Sequence, residues 1–317
     1  MPFAAFDLHK RIVQAVLCDD QGTITHRQRF PAIREAFLDF AARHLTREHR
    51  IAVEATTNTW AVCDLLAPFV AEVVPSNPLR TRAIAEAKIK TDKVDAEVLV
   101  HLLRTNYLPR VWHPDAETQQ LRRLSTERAN FVADRTRIKN RIHAVLHQRL
   151  IPAPKGDLFS RSNLAWLRSL ELDPLGRETL DRHLRHLDFL EAEIKGLMQQ
   201  LARKAQADPR VKLLMTLPGV DYTVALTLLS TFGDIHRFAS AEKAAAYLGL
   251  VPSTFQSGEH CYHGRITKQG RAHARWLLVQ AAQHLDKHPG RSVSSSAAWR
   301  ARRTATWPWS PPPASWS

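Results

Sequence analysis

The chain is poor in cysteine and glycine and has no long hydrophobic run, and each shortage argues against a class of protein. The cysteines, Cys18, Cys63 and Cys261, are scattered without a Cys-x-x-Cys pair, which argues against a disulfide framework or zinc module and fits a reducing compartment. Eleven glycines in 317 residues are too few for an RGG-type disordered binder. No run of about 18 apolar residues and no signal peptide is recognised. We therefore expect a soluble, cytoplasmic, nucleoid-associated protein with no membrane partner.

Acidic residues are also scarce relative to basic ones. There are 45 Lys and Arg against 31 Asp and Glu, a formal net charge of +14. This excess predicts a polyanionic partner, and nucleic acid is favoured over membrane because no basic helix carries a broad apolar face. The 44% of hydrophobic residues is enough to bury real cores, which excludes global disorder, and the length suggests two or three domains.

Residues 1–112 alternate predicted strands and helices. Two β-rich runs lie on either side of a short polar break, and a third follows a turn at Gly22. A buried strand at 50–56, a helix, and a strand closed by prolines come next, before a helix that carries Asp92 and Asp95. This order predicts an α/β domain with a mixed sheet.

Residues 113–208 are predicted to form a long helical hairpin. Near-heptad apolar spacing runs through 115–150 and again through 176–204, and an antiparallel, coiled-coil-like pair that stacks on itself or on a second subunit is the simplest arrangement. The first helix is strongly basic, which indicates contact with nucleic acid or a second subunit, although a solvated surface is the alternative. Its candidate nucleic-acid contacts are Arg122, Arg123, Arg135 and Lys139.

Residues 209–290 are predicted to form a mostly helical domain with a polar, glycine-punctuated loop that bears Ser253 and Ser257. His260, Cys261 and His263 in this loop lack a fourth ligand, so zinc is not expected. The basic residues that follow either form a phosphate-binding face with salt-dependent affinity or are merely solvated. They are Arg265, Lys268, Arg271 and Arg275.

Residues 291–317 have no periodicity, contain a serine run and a proline cluster, and are predicted to be disordered. One coding of this stretch, read one base earlier, gives a helical sequence. We hypothesise that a frameshift near Gly290 replaced an original C-terminal helix, which the nucleotide sequence would decide.

Four carboxylates in the first domain stand at positions that favour metal binding. Asp7 and Glu54 lie inside apolar strand runs, where an unpaired carboxylate costs several kcal/mol. Asp92 and Asp95 are three apart, which places them on one helix face. Taken singly, each has an ordinary explanation: a strand-end acid, a partner for an arginine, or a helix start favoured by the dipole. Together, in a basic protein, they predict a site for two Mg²⁺ ions, which suit in-line phosphodiester chemistry.

These motifs resemble the DEDD transposases of the insertion-sequence-110 family. The matching residues are Asp7 in "FDLHK", Glu54 in "VEAT", and Asp92 with Asp95 in "KTDKVDA". The C-terminal half, from "LMTLPGVDYTVALTLLSTFGDI" onwards, is similar too, and the resemblance runs from residue 3 to about 288. It implies an RNase H-type, RuvC-like fold for the first domain. It also implies a recombinase that uses a structured RNA to pair with donor and target DNA.

The resemblance further implies a serine in the second domain that attacks a phosphodiester and becomes joined to DNA. Ser257 in "QSG" is the matching position, and Ser253 is the alternative. The implied catalytic set is thus the four acids with Ser257, activated by the metals in a homodimer or tetramer. Gly258 would permit close approach of a DNA backbone. His9 and Lys10, beside Asp7, either touch the scissile phosphate or are solvated.

Two other functions stay open from the sequence. One is a RuvC-type, structure-specific nuclease that uses the four acids and water without a serine step. The other is a nucleic-acid-binding remnant without catalysis, because family members usually continue past the position of Gly290 with a basic helix that this chain lacks.

Overall fold

The computed structural model describes residues 1–84, 92–257 and 260–284. It divides into two compact units, one of Met1–Pro114 and one that begins at Asp115. The predicted disordered tail at 291–317 and Gly258 lie outside the described residues. A further boundary at residue 208, within the second unit, stays a prediction.

The first unit is built on a five-stranded mixed sheet, as the sequence predicted. The strand order is β3-β2-β1-β4-β5, with β2 antiparallel to both β1 and β3, and β4 parallel to both β1 and β5. This arrangement is consistent with an RNase H-like fold. The strands are β1 (Phe3–Leu8), β2 (Ile12–Cys18), β3 (Ile24–Pro31), β4 (Arg50–Glu54) and β5 (Glu72–Ser76).

Helices cover both faces of this sheet because successive strand residues point to opposite sides. One face packs a cluster of phenylalanines, with Phe6 of β1 in edge-to-face contact with Phe37 and Phe40. The other face buries Ala5 and Ala52 against the last helix of the unit. The helices are α1 (Arg34–His44), α2 (Thr59–Leu66), α3 (Pro78–Ile84) and α4 (Asp92–Arg104).

The second unit is organised around two long helices. Their N-termini are capped by Asp115 and Asp173, whose carboxylates accept backbone N–H groups of the first turn. The helices of this unit are α5 (Ala116–His147), α6 (Arg161–Ser169), α7 (Pro174–Ala207), α8 (Pro209–Leu214), α9 (Tyr222–Phe232), α10 (Ala241–Tyr247) and α11 (Ala272–Ala282). The two long helices, α5 and α7, match the periodicity in the sequence. Helix α6 was not predicted.

Helices α5 and α7 run antiparallel. Two hydrogen-bonded pairs show this, because the lower residue number in α5 pairs with the higher one in α7. Arg135 lies 3.3 Å from Glu191, and Gln120 lies 3.1 Å from Lys204. Between them lies an apolar core, and α6 adds Leu167 to it. The α5 and α7 members include Ile138, Ile142, Leu146, Leu180, Leu184 and Leu187.

The loop predicted to bear the two serines is instead a two-stranded antiparallel sheet, β6 (Pro252–Ser257) with β7 (His260–Ile266). The prediction of a loop was wrong because the stretch is mostly polar. Alternation of Phe255 and Tyr262 with polar neighbours is nevertheless a strand signal, and only two residues separate the strands. Among the described helices, none combines the length and apolar character needed to cross a membrane.

We predict that Ile142→Ala lowers the free energy of unfolding by about 2 to 5 kcal/mol, because the side chain is fully buried (0% exposed) between α5, α6 and α7. Denaturant titration followed by circular dichroism measures the change. The matched control is Leu175→Ala in α7, where the side chain is 71% exposed, and we expect a change within about 0.5 kcal/mol. Equal effects of the two substitutions would contradict this packing.

Candidate active site and nucleic-acid interface

Asp7 is a buried carboxylate in the middle strand of the sheet. It is only 4% exposed, and it lies on the same face of β1 as Phe3 and Ala5, the face that α4 covers. His9 Nε2 lies 3.1 Å from the Asp7 Oδ2 atom. Removal of a carboxylate from water is costly unless a partner compensates its charge. Strand propensity alone therefore does not explain an aspartate at this position.

Glu54 lies beside Asp7 on the neighbouring parallel strand. The register of β1 with β4 pairs Phe6 with Val53, so Asp7 and Glu54 each follow that pair by one residue. In-register neighbours on parallel strands are about 4.8 Å apart and point to the same face. The sheet therefore brings the first two predicted acids together at the carboxyl ends of their strands, with Glu54 half-buried.

Helix α4 carries the other two predicted acids across the same face. Ala96, Leu99 and Val100 of α4 pack on the sheet, and Asp95 is half-buried beside them. Asp92 is the first residue of the helix, and its side chain lies outside the described part of the structure. Among the side chains that are described, no three His, Cys, Asp or Glu groups converge closely enough to hold a metal ion. A four-carboxylate site thus stays a prediction.

A basic recess opens next to Asp7. It has a volume of about 480 Å³ and is lined by His9, Lys10, Arg11, Ile12 and Arg29. The first three belong to the tight turn between β1 and β2, which the His9 N–H closes by donating to the Ile12 carbonyl at 3.0 Å. His9 and Lys10 were predicted from the sequence as possible phosphate contacts, whereas Arg11 and Arg29 were not. The signal for Arg29 was the regular alternation of β3, which leaves every second side chain exposed.

The two candidate serines differ in their surroundings. Ser257 ends β6, is exposed, and stands opposite His260. The Ser253 hydroxyl donates to the Arg265 carbonyl at 3.3 Å and packs where Gly264 leaves space: a Cβ there would lie 2.4 Å from the Ser253 Oγ. Ser253 is thus part of the hairpin's own structure, whereas Ser257 faces solvent. Ser257 stays the predicted nucleophile position, with Ser253 as the alternative.

Three of the predicted nucleic-acid contacts bond within the second unit. Arg122 Nε and Nη2 donate to the carbonyls of Ser230 and Thr231, at 2.6 and 3.0 Å, at the end of α9. Such carbonyls lack helical partners. Arg275 Nη1 donates to the Leu248 carbonyl at 2.8 Å. Arg271 Nη2 lies 3.3 Å from the Thr126 hydroxyl.

Electrostatics supports the internal role of the first and last of these groups. Burial lowers the pKa of Arg122. Burial, followed by the nearby charge of Arg122, lowers the pKa of Arg271. Both guanidinium groups stay charged because arginine ionises so far above neutral pH. These two guanidinium groups therefore mainly stabilise the packing of α5 with α9 and with the start of α11.

The other predicted contacts are more accessible. Arg123 is exposed, and so are Arg265 and Lys268 at the far end of the hairpin. Arg135 pairs with Glu191 at 3.3 Å, and Lys139 lies 4.6 Å from the ring centroid of Phe159. Arg135 and Lys139 are half-buried, and an ion pair near the surface such as Arg135–Glu191 contributes little to stability.

Two family models, both of transposases, match the chain. One, a DEDD transposase model of the IS110 group, matches residues 4–151 and so spans the carboxylate positions. The other, described as "Transposase IS116/IS110/IS902 family", matches residues 211–295 and spans the serine hairpin. The mixed sheet and the two family matches together assign this chain to the class of DEDD transposases.

Curated relatives agree with this class. A Sinorhizobium fredii protein named as a transposase is 29% identical over 234 residues, or 69% of this chain and 57% of the relative. The transposase for insertion sequence element IS1111A of Coxiella burnetii is 25% identical over 213 residues, 66% and 58%. The transposase for element IS1328 of Yersinia enterocolitica is 27% identical over 206 residues, 64% and 62%. The aligned part thus spans 57–62% of these relatives' length.

Within this class, the chain belongs to the IS110 family of transposases.

We predict that Arg122→Ala lowers the free energy of unfolding by about 2 to 3 kcal/mol, because it removes charged hydrogen bonds and leaves two carbonyls of α9 without their donor. The matched control is its exposed neighbour, Arg123→Ala, for which we expect a change within about 0.5 kcal/mol. Denaturant titration measures both. A larger loss for Arg123→Ala would contradict the internal role of Arg122.

Proposed function

We propose that this protein is a DNA recombinase of an insertion sequence. It cleaves and rejoins DNA strands with a metal-binding carboxylate site in the first unit and a serine nucleophile, Ser257, in the second. The observation that carries the proposal is the placement of Asp7 and Glu54 at adjacent positions of parallel strands, beneath the helix that begins at Asp92. Membership of the IS110 family supports the same chemistry.

The proposed metal site uses all four acids. The buried residues of α4, Ala96 and Leu99, follow Asp92 and Asp95 by one helical turn each. Because residues four apart lie on the same helix face, Asp95 shares the face of α4 that packs on the sheet through Leu99. Carboxylate oxygens are the ligands that Mg²⁺ prefers, so the donor set fits two such ions.

Bound Mg²⁺ would polarise a phosphodiester and stabilise the leaving oxygen. The protein's own residues would hold the DNA for that step. Lys10, Arg11 and Arg29 around the recess offer positive charge to a backbone phosphate. His9, at 3.1 Å from Asp7, would fix the orientation of that carboxylate as outer-shell partners do in metal sites.

Ser257 would form the covalent intermediate. Its hydroxyl oxygen attacks the phosphorus, its proton leaves to a base or to water, and the bond from phosphorus to the departing DNA oxygen breaks. The departing DNA strand ends in a hydroxyl. Attack by a hydroxyl of another strand reverses the step, so that strands are exchanged without loss of the phosphodiester bond.

Partners follow from charge. The net charge of +14 and exposed residues such as Arg123, Arg265 and Lys268 are suited to DNA and to a structured guide RNA. The proposed working unit is a homodimer or a tetramer. These partners rest on the family resemblance as well as on the charge of the described surface.

We predict that Asp7→Asn reduces strand cleavage by more than about 100-fold, because loss of a metal ligand exceeds the 10- to 100-fold cost typical of outer-shell changes. RNA binding should stay within a few-fold. The assay uses the purified chain, the RNA transcribed from DNA flanking its gene, labelled element-end DNA and Mg²⁺. Asp39→Asn, an exposed carboxylate of α1 paired with Arg43, is the matched control and should retain activity.

A second readout separates metal binding from activity. Mg²⁺ should raise the thermal unfolding midpoint of the unaltered chain and of Asp39→Asn, since a ligand that binds only the folded state stabilises it. It should raise the midpoint much less for Asp7→Asn. Equal stabilisation of all three proteins by Mg²⁺, or loss of RNA binding in parallel with cleavage, would mean that Asp7 is structural.

We predict that Ser257→Ala abolishes a covalent protein–DNA adduct, whereas Ser253→Ala retains it at a reduced level because it alters the hairpin's packing. Denaturing gel electrophoresis of labelled DNA after the reaction detects the adduct. Cleavage that persists unchanged in Ser257→Ala would instead indicate a metal-dependent nuclease that uses water. Loss of the adduct only in Ser253→Ala would transfer the nucleophile to that position.

A further inference from the structure

The hairpin β6–β7 presents four particular side chains on one face. Phe255 stands opposite Tyr262, and Ser257 stands opposite His260. Side chains directly opposite each other in an antiparallel pair share a face, and residues two apart along a strand share it too. The nucleophile position is thus adjacent, on the same face, to a pair of aromatic rings.

The two rings are stacked and exposed. Their centroids are 5.0 Å apart and their planes differ by 16°, while Phe255 is 53% and Tyr262 is 63% exposed. Aromatic side chains usually bury most of their surface. Both strands are exposed along almost their whole length, so the hairpin offers these rings no core. A surface of this kind is typical of a binding site.

The charge around the rings indicates the occupant. In the sequence of 252–268, Arg265 and Lys268 lie on or just after β7, His260 and His263 lie on β7, and the one acidic residue, Glu259, falls outside the described residues. An aromatic pair on a ribbon with a small basic excess matches the combination used to bind single-stranded nucleic acid: rings stack on bases, and cations such as Arg265 and Lys268 hold phosphates. A lipid or an apolar protein surface would not require the cations.

We propose that Phe255 and Tyr262 form a stacking platform for one unpaired base of the DNA strand that Ser257 attacks. This inference rests on the proposed function. Ser257 lies two residues beyond Phe255, about 7 Å along the strand, so a base on the rings places a neighbouring phosphate within reach of the hydroxyl. The base must be unpaired and unstacked, because a base inside a duplex has both faces covered.

Such a platform would position DNA without reading its sequence. Stacking on an aromatic ring tolerates any base, since every base has a π-face. Sequence choice would then come from elsewhere, as pairing with a guide RNA would provide. Phe255 and Tyr262 are therefore positioning residues, and Ser257 is the residue that reacts.

The test uses the full chain carrying Ser257→Ala and single-stranded oligodeoxynucleotides with 2-aminopurine at successive positions. We expect the fluorescence to fall at a position whose base stacks on the rings. Phe255→Ala and Tyr262→Ala should each remove this quenching and weaken binding by about 5- to 150-fold, the range for loss of one stacked base. Tyr262→Phe, which keeps the ring, should preserve both. Phe189→Ala on α7, where the side chain is 55% exposed, is the matched control and should change neither.

Several outcomes would overturn the platform. The first is unchanged quenching and affinity in Phe255→Ala while its circular dichroism stays native. The second is that Phe255→Ala loses as much affinity for a fully paired duplex as for a single strand. The third is that RNA of the same sequence binds more tightly than the DNA and is quenched more strongly. Dissociation of an oligomer by Phe255→Ala with unchanged DNA binding would show that a second copy covers the rings. The adduct assay separates this inference from the proposed function. If adducts form but no quenching is seen, the serine chemistry is supported and the platform is wrong. If quenching is seen but no adducts form, the platform is supported and the serine chemistry is wrong.

Discussion

The parallel pairing of β1 with β4 is the constraint on which the proposed chemistry depends. Its register sets Asp7 and Glu54 side by side at the carboxyl ends of two neighbouring strands, on the face that α4 covers. With Asp7 only 4% exposed, this placement is costly in the absence of compensating groups. His9 supplies one of them. In the proposed site, bound cations would compensate the repulsion between Asp7, Glu54 and the acids of α4.

The second unit combines two buried apolar cores with an exposed hairpin that carries the predicted nucleophile position. Antiparallel α5 and α7 bury an apolar seam that α6 completes, and α9 and α11 share another core with the ends of the long helices. From this scaffold the β6–β7 hairpin presents Ser257 to solvent. The proposed nucleophile is therefore accessible, and its proposed reaction also requires a phosphodiester to be positioned against it.

Periodicity made much of the fold predictable. Alternating apolar residues predicted the strands of the first unit, and near-heptad spacing predicted α5 and α7. Each pattern arises because an element that buries one side repeats apolar residues at its own structural period. The short helix α6 and the β6–β7 hairpin were missed. The hairpin has almost no buried side, so its sequence lacks the hydrophobic contrast that identifies a strand. The grouping of Asp7 with Glu54 was foreseeable only as far as the order of elements implied a mixed sheet.

By itself, the sequence determined the charge of the protein, the carboxylates at strand ends and helix starts, and the family motifs around them. It could not separate Arg122 from Arg123, or Ser253 from Ser257, since both pairs share residue type and neighbourhood. The tertiary structure showed which arginine and which serine are bonded within the unit, whereas the choice of nucleophile stays a prediction. Adjacent residues on a helix point about 100° apart, so Arg122 meets the end of α9 while Arg123 meets solvent. A hydroxyl is bonded or exposed according to what lies across the hairpin from it.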